Sequence, residues 1–172
     1  MRRLSLTARA VPAAAASDEV EVVLVRITHP DLAAPIRLST DPTERLSLDP
    51  LAYGTRSTWP DAGGEPYLFV LASALLPDDQ EDGPQQAQLV LEVVDADMAT
   101  PLRATTSRAT VDMAVVYAGS PDVAEVEFRG LQLVGVEGDA GELRLSLSRD
   151  PITSEPWPFR RMTRGAFPGL HR

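Results

Sequence analysis

The sequence predicts an all-β protein, a single β-sandwich or barrel domain of about seven or eight strands with extended N- and C-terminal arms. Apolar and alternating segments of strand length recur at short spacing, and turn-forming residues separate them. Helical periodicity never extends beyond three turns with capping residues. The 172 residues suit one domain. We divide it into an arm over 1–17, a β domain over 18–148 and a docking tail over 149–172.

The first part of the β domain contains two predicted strands and one long loop. Val20–Thr28 is β-branched and almost continuously apolar, which is typical of a strand buried on both faces, and Pro30 ends it. Ile36–Thr40 alternates before the turn residues Asp41-Pro42. The polar segment 43–66, which contains glycine and proline, is predicted to be a loop, and loops of that length are often functional.

The rest of the β domain is predicted to contain five strands. They are Tyr67–Leu76, Ala87–Asp95, Val111–Tyr117, Val126–Val136 and Leu143–Leu147. Gly130 interrupts the fourth of these strands and indicates a β-bulge. In the last strand, which follows a glycine-rich hairpin turn, Leu143, Leu145 and Leu147 alternate with polar residues. This leucine face is predicted to be core.

The composition excludes several kinds of site. The chain has no cysteine, so disulfides, thiolate metal sites and cysteine nucleophiles are excluded. The two histidines, His29 and His171, are too few for an all-histidine metal site. The net charge of −9 disfavours nucleic-acid binding. The sequence contains no apolar stretch of membrane-spanning length and no phosphate-binding glycine loop, so neither a membrane span nor a cofactor is predicted.

Charge is distributed unevenly along the chain. Residues 1–17 contain three arginines and no acid, and residues 149–172 contain five arginines against two acids, so the middle carries −15. Basic ends of this kind can reach the acidic flank of a neighbouring subunit, and solvated terminal charge explains them equally well. Arg9 and Pro12 interrupt the apolar stretch of a secretory signal. A short helix or arm leading into the first strand is expected instead.

Acidic residues offer two candidate cation sites. Asp95 and Asp97 lie two residues apart and would point the same way in a strand, although aspartate is also common where a strand ends. The acidic run 78–82 lacks the ligand spacing of a calcium loop. It is expected to be a solvated, self-repelling loop. No metal site is predicted.

His29 is the candidate for hydrolytic chemistry, because Asp31 follows it closely. The serines that could complete a triad are Ser5, Ser17 and Ser39. None of them lies in a nucleophile elbow. The interpretation we favour is a turn histidine hydrogen-bonded to backbone, and no enzymatic activity is predicted.

Aromatic residues suggest one further binding surface. Tyr53, Trp59 and Tyr67 could form an aromatic platform for sugars, as in many β-sandwich lectins. The same three residues could equally pack at the edge of the core. The sequence leaves both interpretations open.

The C-terminal segment 150–172 combines large apolar residues with four prolines and four arginines. A regular strand or a long helix is not expected there. Such a segment docks through its apolar residues, while its arginines pair with carboxylates. Docking on a neighbouring subunit and docking across its own sheet both stay open. The predicted interface residues are Trp157, Phe159, Arg160, Arg161, Phe167 and Leu170.

Four stretches of the chain carry a family resemblance. They are Ile27–Leu32 with Pro35–Leu38 and Asp41, then Leu76–Asp79 at the end of the apolar strand, then Leu89–Asp97, and finally Phe159–Thr163 with Phe167–Leu170. In these stretches the chain resembles a family of phage and prophage proteins, encoded among the tail genes of long-tailed phages and long catalogued as a domain of unknown function. The resemblance covers nearly the full length. The chain departs from the family's pattern at Arg164-Gly165, where a proline is expected.

The resemblance implies a structural virion protein of the tail tip, made in the host cytoplasm. The implied role is a distal-tail-like adaptor, a ring of β domains that joins the tail tube to the hub and fibres. The implied partners are further copies of this chain and other tail proteins such as the tube, the hub and the tape measure. The main alternative is a carbohydrate-binding β-sandwich module for host glycans, and a cell-wall hydrolase is a third hypothesis.

Overall fold

A computed structural model describes residues 5–11, 18–61, 63, 65–77, 86–92, 107–138, 141–149, 163, 167 and 169. These residues contain one short helix and ten strands. The elements are α1 Leu6–Ala10, β1 Glu21–Thr28, β2 Ile36–Ser39, β3 Glu44–Leu48, β4 Leu51–Thr55, β5 Tyr67–Phe69, β6 Leu71–Leu75, β7 Gln86–Glu92, β8 Thr110–Tyr117, β9 Val126–Gly138 and β10 Glu142–Ser148. The all-β prediction is confirmed, with ten strands instead of seven or eight.

Two differences account for the higher number of strands. The segment 43–66, predicted to be a loop, contains the hairpin β3–β4, whose short and partly exposed strands lack a strong apolar pattern. The predicted strand 67–76 is divided at Val70 into β5 and β6. The division arises because the backbone changes its neighbours there: β5 pairs with β2 and β4, whereas β6 pairs with β7.

All ten strands belong to one sheet, in the order β3-β4-β5-β2-β1-β8-β9-β10-β7-β6. Neighbouring strands are antiparallel except β2 and β5, which are parallel. In this order β5 is far from β6, yet only Val70 separates the two strands along the chain. The sheet must therefore curl until β6 returns to β5, which produces a half-barrel.

The main hydrophobic core combines residues from one face of most of the strands. Its most deeply buried members include Ile27, Leu89, Val111, Met113, Leu131, Leu143, Leu145 and Leu147. The predicted leucine face of the last strand is therefore confirmed as core. Its strand β10 lies between β7 and β9 in the sheet, so this face contacts core residues from both neighbours.

A second apolar cluster lies on the opposite face of the central strands. Val22 and Leu24 of β1 pack there with Trp59 and Tyr67, while Ile27 belongs to the main core. The prediction that the first strand is buried on both faces is confirmed. Trp59 comes from the segment between β4 and β5, so this segment covers the second face of the sheet.

A β-bulge at Gly130 confirms the interruption predicted in β9. Arg129 and Gly130 together lie opposite Asp112 of β8, and Gly130 has a φ of 70°, which favours glycine. The Gly130 N–H donates to Asp112 Oδ1 at 2.9 Å. A side chain thus supplies the hydrogen bond that the interrupted ladder loses.

The carboxylate of Asp112 also pairs with Arg26 of β1. Arg26 Nη2 lies 3.1 Å from Asp112 Oδ2, and Arg26 Nε donates to that oxygen at 3.3 Å. The two side chains are only 17% and 10% exposed. Arg26 Nη1 also pairs with Asp61, in the segment that covers this face. One carboxylate therefore joins β1, β8 and β9.

Gly54 allows β4 to approach β5. It pairs with Leu68, and a Cβ at position 54 would lie 1.9 Å from the carbonyl oxygen of Tyr67. The two strands can pair here because residue 54 has no side chain.

Replacing the most buried leucine of β10 tests the core assignment. Leu145 is 0% exposed, so Leu145→Ala is expected to lower the free energy of unfolding by about 2–5 kcal/mol, since it removes apolar contacts and leaves a cavity. The matched control is Leu51→Ala on β4, where the side chain is 61% exposed and a change within about 0.5 kcal/mol is expected. Urea unfolding measures both. Equal effects of the two substitutions would contradict the assigned core face.

Candidate functional site

Most of the predicted interface residues lie outside the residues that the structure describes. These are Trp157, Phe159, Arg160, Arg161 and Leu170, and the candidate cation ligands Asp95, Asp97 and 78–82 lie outside them as well. Phe167 is described: it is half-buried, and its N–H donates to the carbonyl oxygen of Thr163 at 2.8 Å. The docking role of the C-terminal segment therefore stays a prediction.

His29 lies at the end of β1 and is buried. Its Nδ1 accepts a hydrogen bond from the Asp31 backbone N–H at 3.0 Å, and its Nε2 lies 2.6 Å from the Ser107 hydroxyl. Asp31 Oδ2 lies 3.5 Å from Nδ1. The structure thus brings a serine, a histidine and an aspartate together. The serine is Ser107 and not one of the three serines that the sequence suggested.

The proton positions in this trio oppose hydrolytic catalysis. A triad histidine carries a proton on Nδ1 and accepts the serine proton at Nε2. Nδ1 of neutral His29 accepts from a backbone N–H, so its proton is on Nε2 and is donated to Ser107. The predicted turn histidine, hydrogen-bonded to backbone, is confirmed. It also links the end of β1 to the residues that precede β8.

The described part of the chain lacks two further features. No group of three or more histidine or acidic side chains there is arranged to hold a metal ion. None of the helical residues described forms a segment long and apolar enough to cross a membrane.

The aromatic platform is not formed. Trp59 and Tyr67 are 6% and 0% exposed, and their ring centroids lie 6.4 Å apart in the second apolar cluster. Trp59 Nε1 donates to Glu127 Oε2 at 3.2 Å, and the Tyr67 hydroxyl donates to the Trp59 carbonyl oxygen. Of the three aromatic residues, only Tyr53 is exposed. The interpretation that they pack at the edge of the core holds for Trp59 and Tyr67.

Arg37 sets the electrostatics around Tyr67. Its guanidinium carbon lies 5.5 Å from the centre of the Tyr67 ring, in cation–π geometry. Burial raises the pKa of Tyr67, and the positive charge of Arg37 opposes that effect. Because burial has the larger influence, the hydroxyl stays protonated and continues to donate to Trp59 at neutral pH.

Exposed apolar residues concentrate at the two ends of the sheet order. They are Leu48, Leu51, Tyr53 and Leu68 on β3, β4 and β5, and Leu71, Leu75 and Leu76 on or next to β6. Leu48 is 73% exposed and Leu75 is 65% exposed. No described strand lies beyond β3 or beyond β6. Exposed apolar side chains thus lie next to the outermost described strand at each end of the sheet.

A groove of about 410 Å³ opens near the point where the C-terminal segment begins. Its lining includes Leu75 of β6, Val134 of β9 and Ser148 of β10. Ser148 is the last residue of β10, so this strand ends beside the groove.

The N-terminal arm contains the predicted short helix, α1. Ser5 caps it, because its hydroxyl accepts a hydrogen bond from the Ala8 N–H at 3.0 Å. The Ser5 N–H donates to Glu125 Oε2 at 2.9 Å, and Glu125 is buried. None of the helix residues is buried. The capping residue Ser5 therefore links the helix to the β domain.

No protein-family model matches this sequence, and no curated protein matches it either. The resemblance of the four stretches stays an expectation from the sequence. The surfaces at the two ends of the sheet are therefore the structural basis for a functional proposal.

The alkaline stability of the protein tests the burial of Tyr67. Its pKa is raised by burial, so above about pH 10 the unfolded chain loses this proton before the folded protein does. The free energy of unfolding is expected to be independent of this group below pH 10 and to fall as the pH rises further. Tyr67→Phe is expected to make that fall shallower, in urea unfolding measured from pH 8 to pH 11.

The same variant has an internal control at pH 8, where Tyr67 is neutral in both states. There Tyr67→Phe is expected to lower the free energy of unfolding by about 1 kcal/mol, because it loses the hydrogen bond to Trp59. The fall that remains at high pH is assigned to Tyr117, whose pKa is raised by burial and by Glu21. A slope identical to that of the wild type would contradict the assignment to Tyr67.

Proposed function

We propose that this protein is a structural subunit of a phage tail tip, a distal-tail-like adaptor that assembles as a ring and joins the tail tube to the hub and fibres. The main support is the concentration of exposed leucines at the two ends of the described sheet. The resemblance of the four stretches supplies the assignment to phage tails. The all-β fold is compatible with such a subunit.

A ring of identical subunits needs two different contact surfaces on each copy. When one surface meets the other surface of the next copy, the interface is heterologous, and it closes into a ring if the rotation permits. This chain offers two apolar margins for such contacts, one around the β3–β4 hairpin and one at β6. Both present leucines to solvent, and no described strand lies beyond β3 or beyond β6.

The charge distribution supports assembly as well. The segments 1–17 and 149–172 are each +3, and the body between them is −15. Arginine pairs bidentately with carboxylates, and every basic residue of the chain is an arginine. Arms of this charge are suited to bind the acidic body of a neighbouring copy or of another tail protein.

The two alternative functions have less structural support. The sugar-binding module depended on an aromatic platform, and Trp59 and Tyr67 are buried. The hydrolase depended on His29 as a base, and its Nδ1 accepts a backbone hydrogen bond. Binding to a host glycan array would favour the first alternative over the tail-tip proposal, since an adaptor ring is expected to bind none.

The proposal is tested on phage particles. Mass spectrometry of purified particles is expected to detect the protein, and electron microscopy of a deletion mutant is expected to show tails that are absent or lack their tip. Restoring the gene in trans is the control and is expected to restore infectious particles. The proposal is wrong if purified particles lack the protein and the deletion leaves the infectious titre unchanged.

Deletion of residues 150–172 tests the docking role of the C-terminal segment. We expect the truncated chain to fold and to lose assembly, because burial of Trp157, Phe159, Phe167 and Leu170 would contribute about 1.5–3 kcal/mol each before ordering costs. Circular dichroism measures folding, and size-exclusion chromatography with light scattering measures assembly. The paired substitutions Arg160→Gln and Arg161→Gln remove charge while keeping the apolar anchors.

Each outcome of deleting residues 150–172 leads to a different conclusion about where this segment docks. An unfolded truncated chain would show that the segment belongs to the core of its own domain. A folded chain that still assembles would contradict a docking role between subunits. If the arginine variant assembles normally at low and high salt while the deletion does not, the apolar anchors supply the contact.

A further inference from the structure

We infer that Arg37 binds a small oxyanion, of the phosphate or carboxylate type, on the second face of the sheet. The inference goes beyond the tail-tip role and does not depend on it. It rests on a partly buried guanidinium to which the described residues supply no negative partner.

Arg37 of β2 differs from the comparable arginine of β1 in having no acidic partner. Arg26 and Arg37 are the two described arginines that are not exposed. Arg26 pairs with both Asp112 and Asp61. Arg37 forms no ion pair with any described residue. A charged group that has lost part of its water needs a counter-charge, and Arg37 lacks one.

One donor group of Arg37 is enclosed and unused. Its Nη1 is buried and has no hydrogen-bond acceptor. The guanidinium carbon lies 5.5 Å from the centre of the Tyr67 ring, so the aromatic face attracts the positive charge. That attraction does not supply Nη1 with an acceptor oxygen. A buried donor of a charged group without an acceptor is costly, and a bound oxygen would remove the cost.

The sheet places Arg37 beside a second positive charge. Arg37 and Arg26 are direct partners in the ladder of β2 and β1, so their side chains lie on the same face, where like charges repel. The next position in this row is Asp112 of β8, which pairs with Arg26. The row therefore reads positive, positive and negative across the three strands. An oxyanion beside Arg37 gives each of the two arginines a negative neighbour.

The chemistry of this position restricts the ligand. A guanidinium presents its N–H groups in a planar fork that matches two oxygens of a carboxylate or a phosphate. A neutral ligand would satisfy the N–H group without balancing the charge, and a cation would be repelled. The enclosure of Nη1 favours a single small ion over a polymer. Phosphate, sulfate and acetate are therefore the probes to use.

The test measures binding of each probe to the full-length chain by isothermal titration calorimetry and thermal unfolding. Sodium chloride keeps the ionic strength constant throughout. At least one probe is expected to bind saturably, with one site per chain. At ten times its dissociation constant, that probe is expected to raise the Tm by about 3–6 °C, because it binds the folded state alone.

Two substitutions at position 37 and one control locate the site. Arg37→Gln removes the charge and the fork, and it is expected to abolish binding. Arg37→Lys keeps the charge without the fork, and it is expected to weaken binding at least about tenfold. Arg45→Gln is the matched control, because Arg45 is exposed on β3 and has no ion pair with a described residue. It is expected to bind like the wild type.

Circular dichroism verifies that each variant is folded, and Arg37→Lys decides the question if Arg37→Gln does not fold. Saturable binding that is weakened by substitution of Arg37 and kept in Arg45→Gln supports the inference. The probe that binds most tightly then identifies a phosphate-type or a carboxylate-type ligand.

Three results would overturn the inference. A rise in Tm that grows without saturation and is equal in all variants is a general salt effect. Saturable binding that is unchanged by both substitutions at Arg37 places the anion elsewhere on the protein. Absence of binding by the wild type shows that water alone satisfies Nη1. None of these results bears on the tail-tip role, which depends on the composition of phage particles.

Discussion

The carboxylate of Asp112 joins the three strands on which the rest of the sheet is built. It accepts a hydrogen bond from the bulge at Gly130 and pairs with Arg26, so β8 contacts both of its neighbours through one side chain. Because the ion pair is largely buried, loss of Arg26 would leave the Asp112 carboxylate without its charged partner. Arg26 also pairs with Asp61, which holds the segment that carries Trp59 against the second face.

The two ends of the sheet differ from its centre in how exposed their apolar side chains are. Central strands such as β1 and β8 are buried on both faces, whereas β3, β4 and β6 present leucines to solvent. The described residues bury polar contacts such as the Arg26–Asp112 pair in the centre and expose apolar residues at the margins. The proposed role as an assembling subunit draws on this distribution.

Much of this architecture could be predicted from the sequence, where local patterns determine it. The alternation around Leu145, the two-sided burial of β1 and the bulge at Gly130 all follow from residues that are neighbours in the chain. The split at Val70 and the contact of His29 with Ser107 could not be predicted, because each depends on which distant segments meet. The β3–β4 hairpin was missed because strands at an exposed margin need little apolar alternation.

The pairing of β1 with β8 has a consequence for the synthesis of the protein. Leu24 pairs with Ala114, 90 positions later in the chain. At ribosomal rates of about 5–20 residues per second, β8 is therefore synthesised roughly 5–18 s after β1. During that interval the nascent chain lacks β8, so the β8-facing edge of the β-branched strand β1 is open to association with other chains. The native sheet can form only after most of the polypeptide has emerged, so folding of this domain is coupled to the late stages of translation.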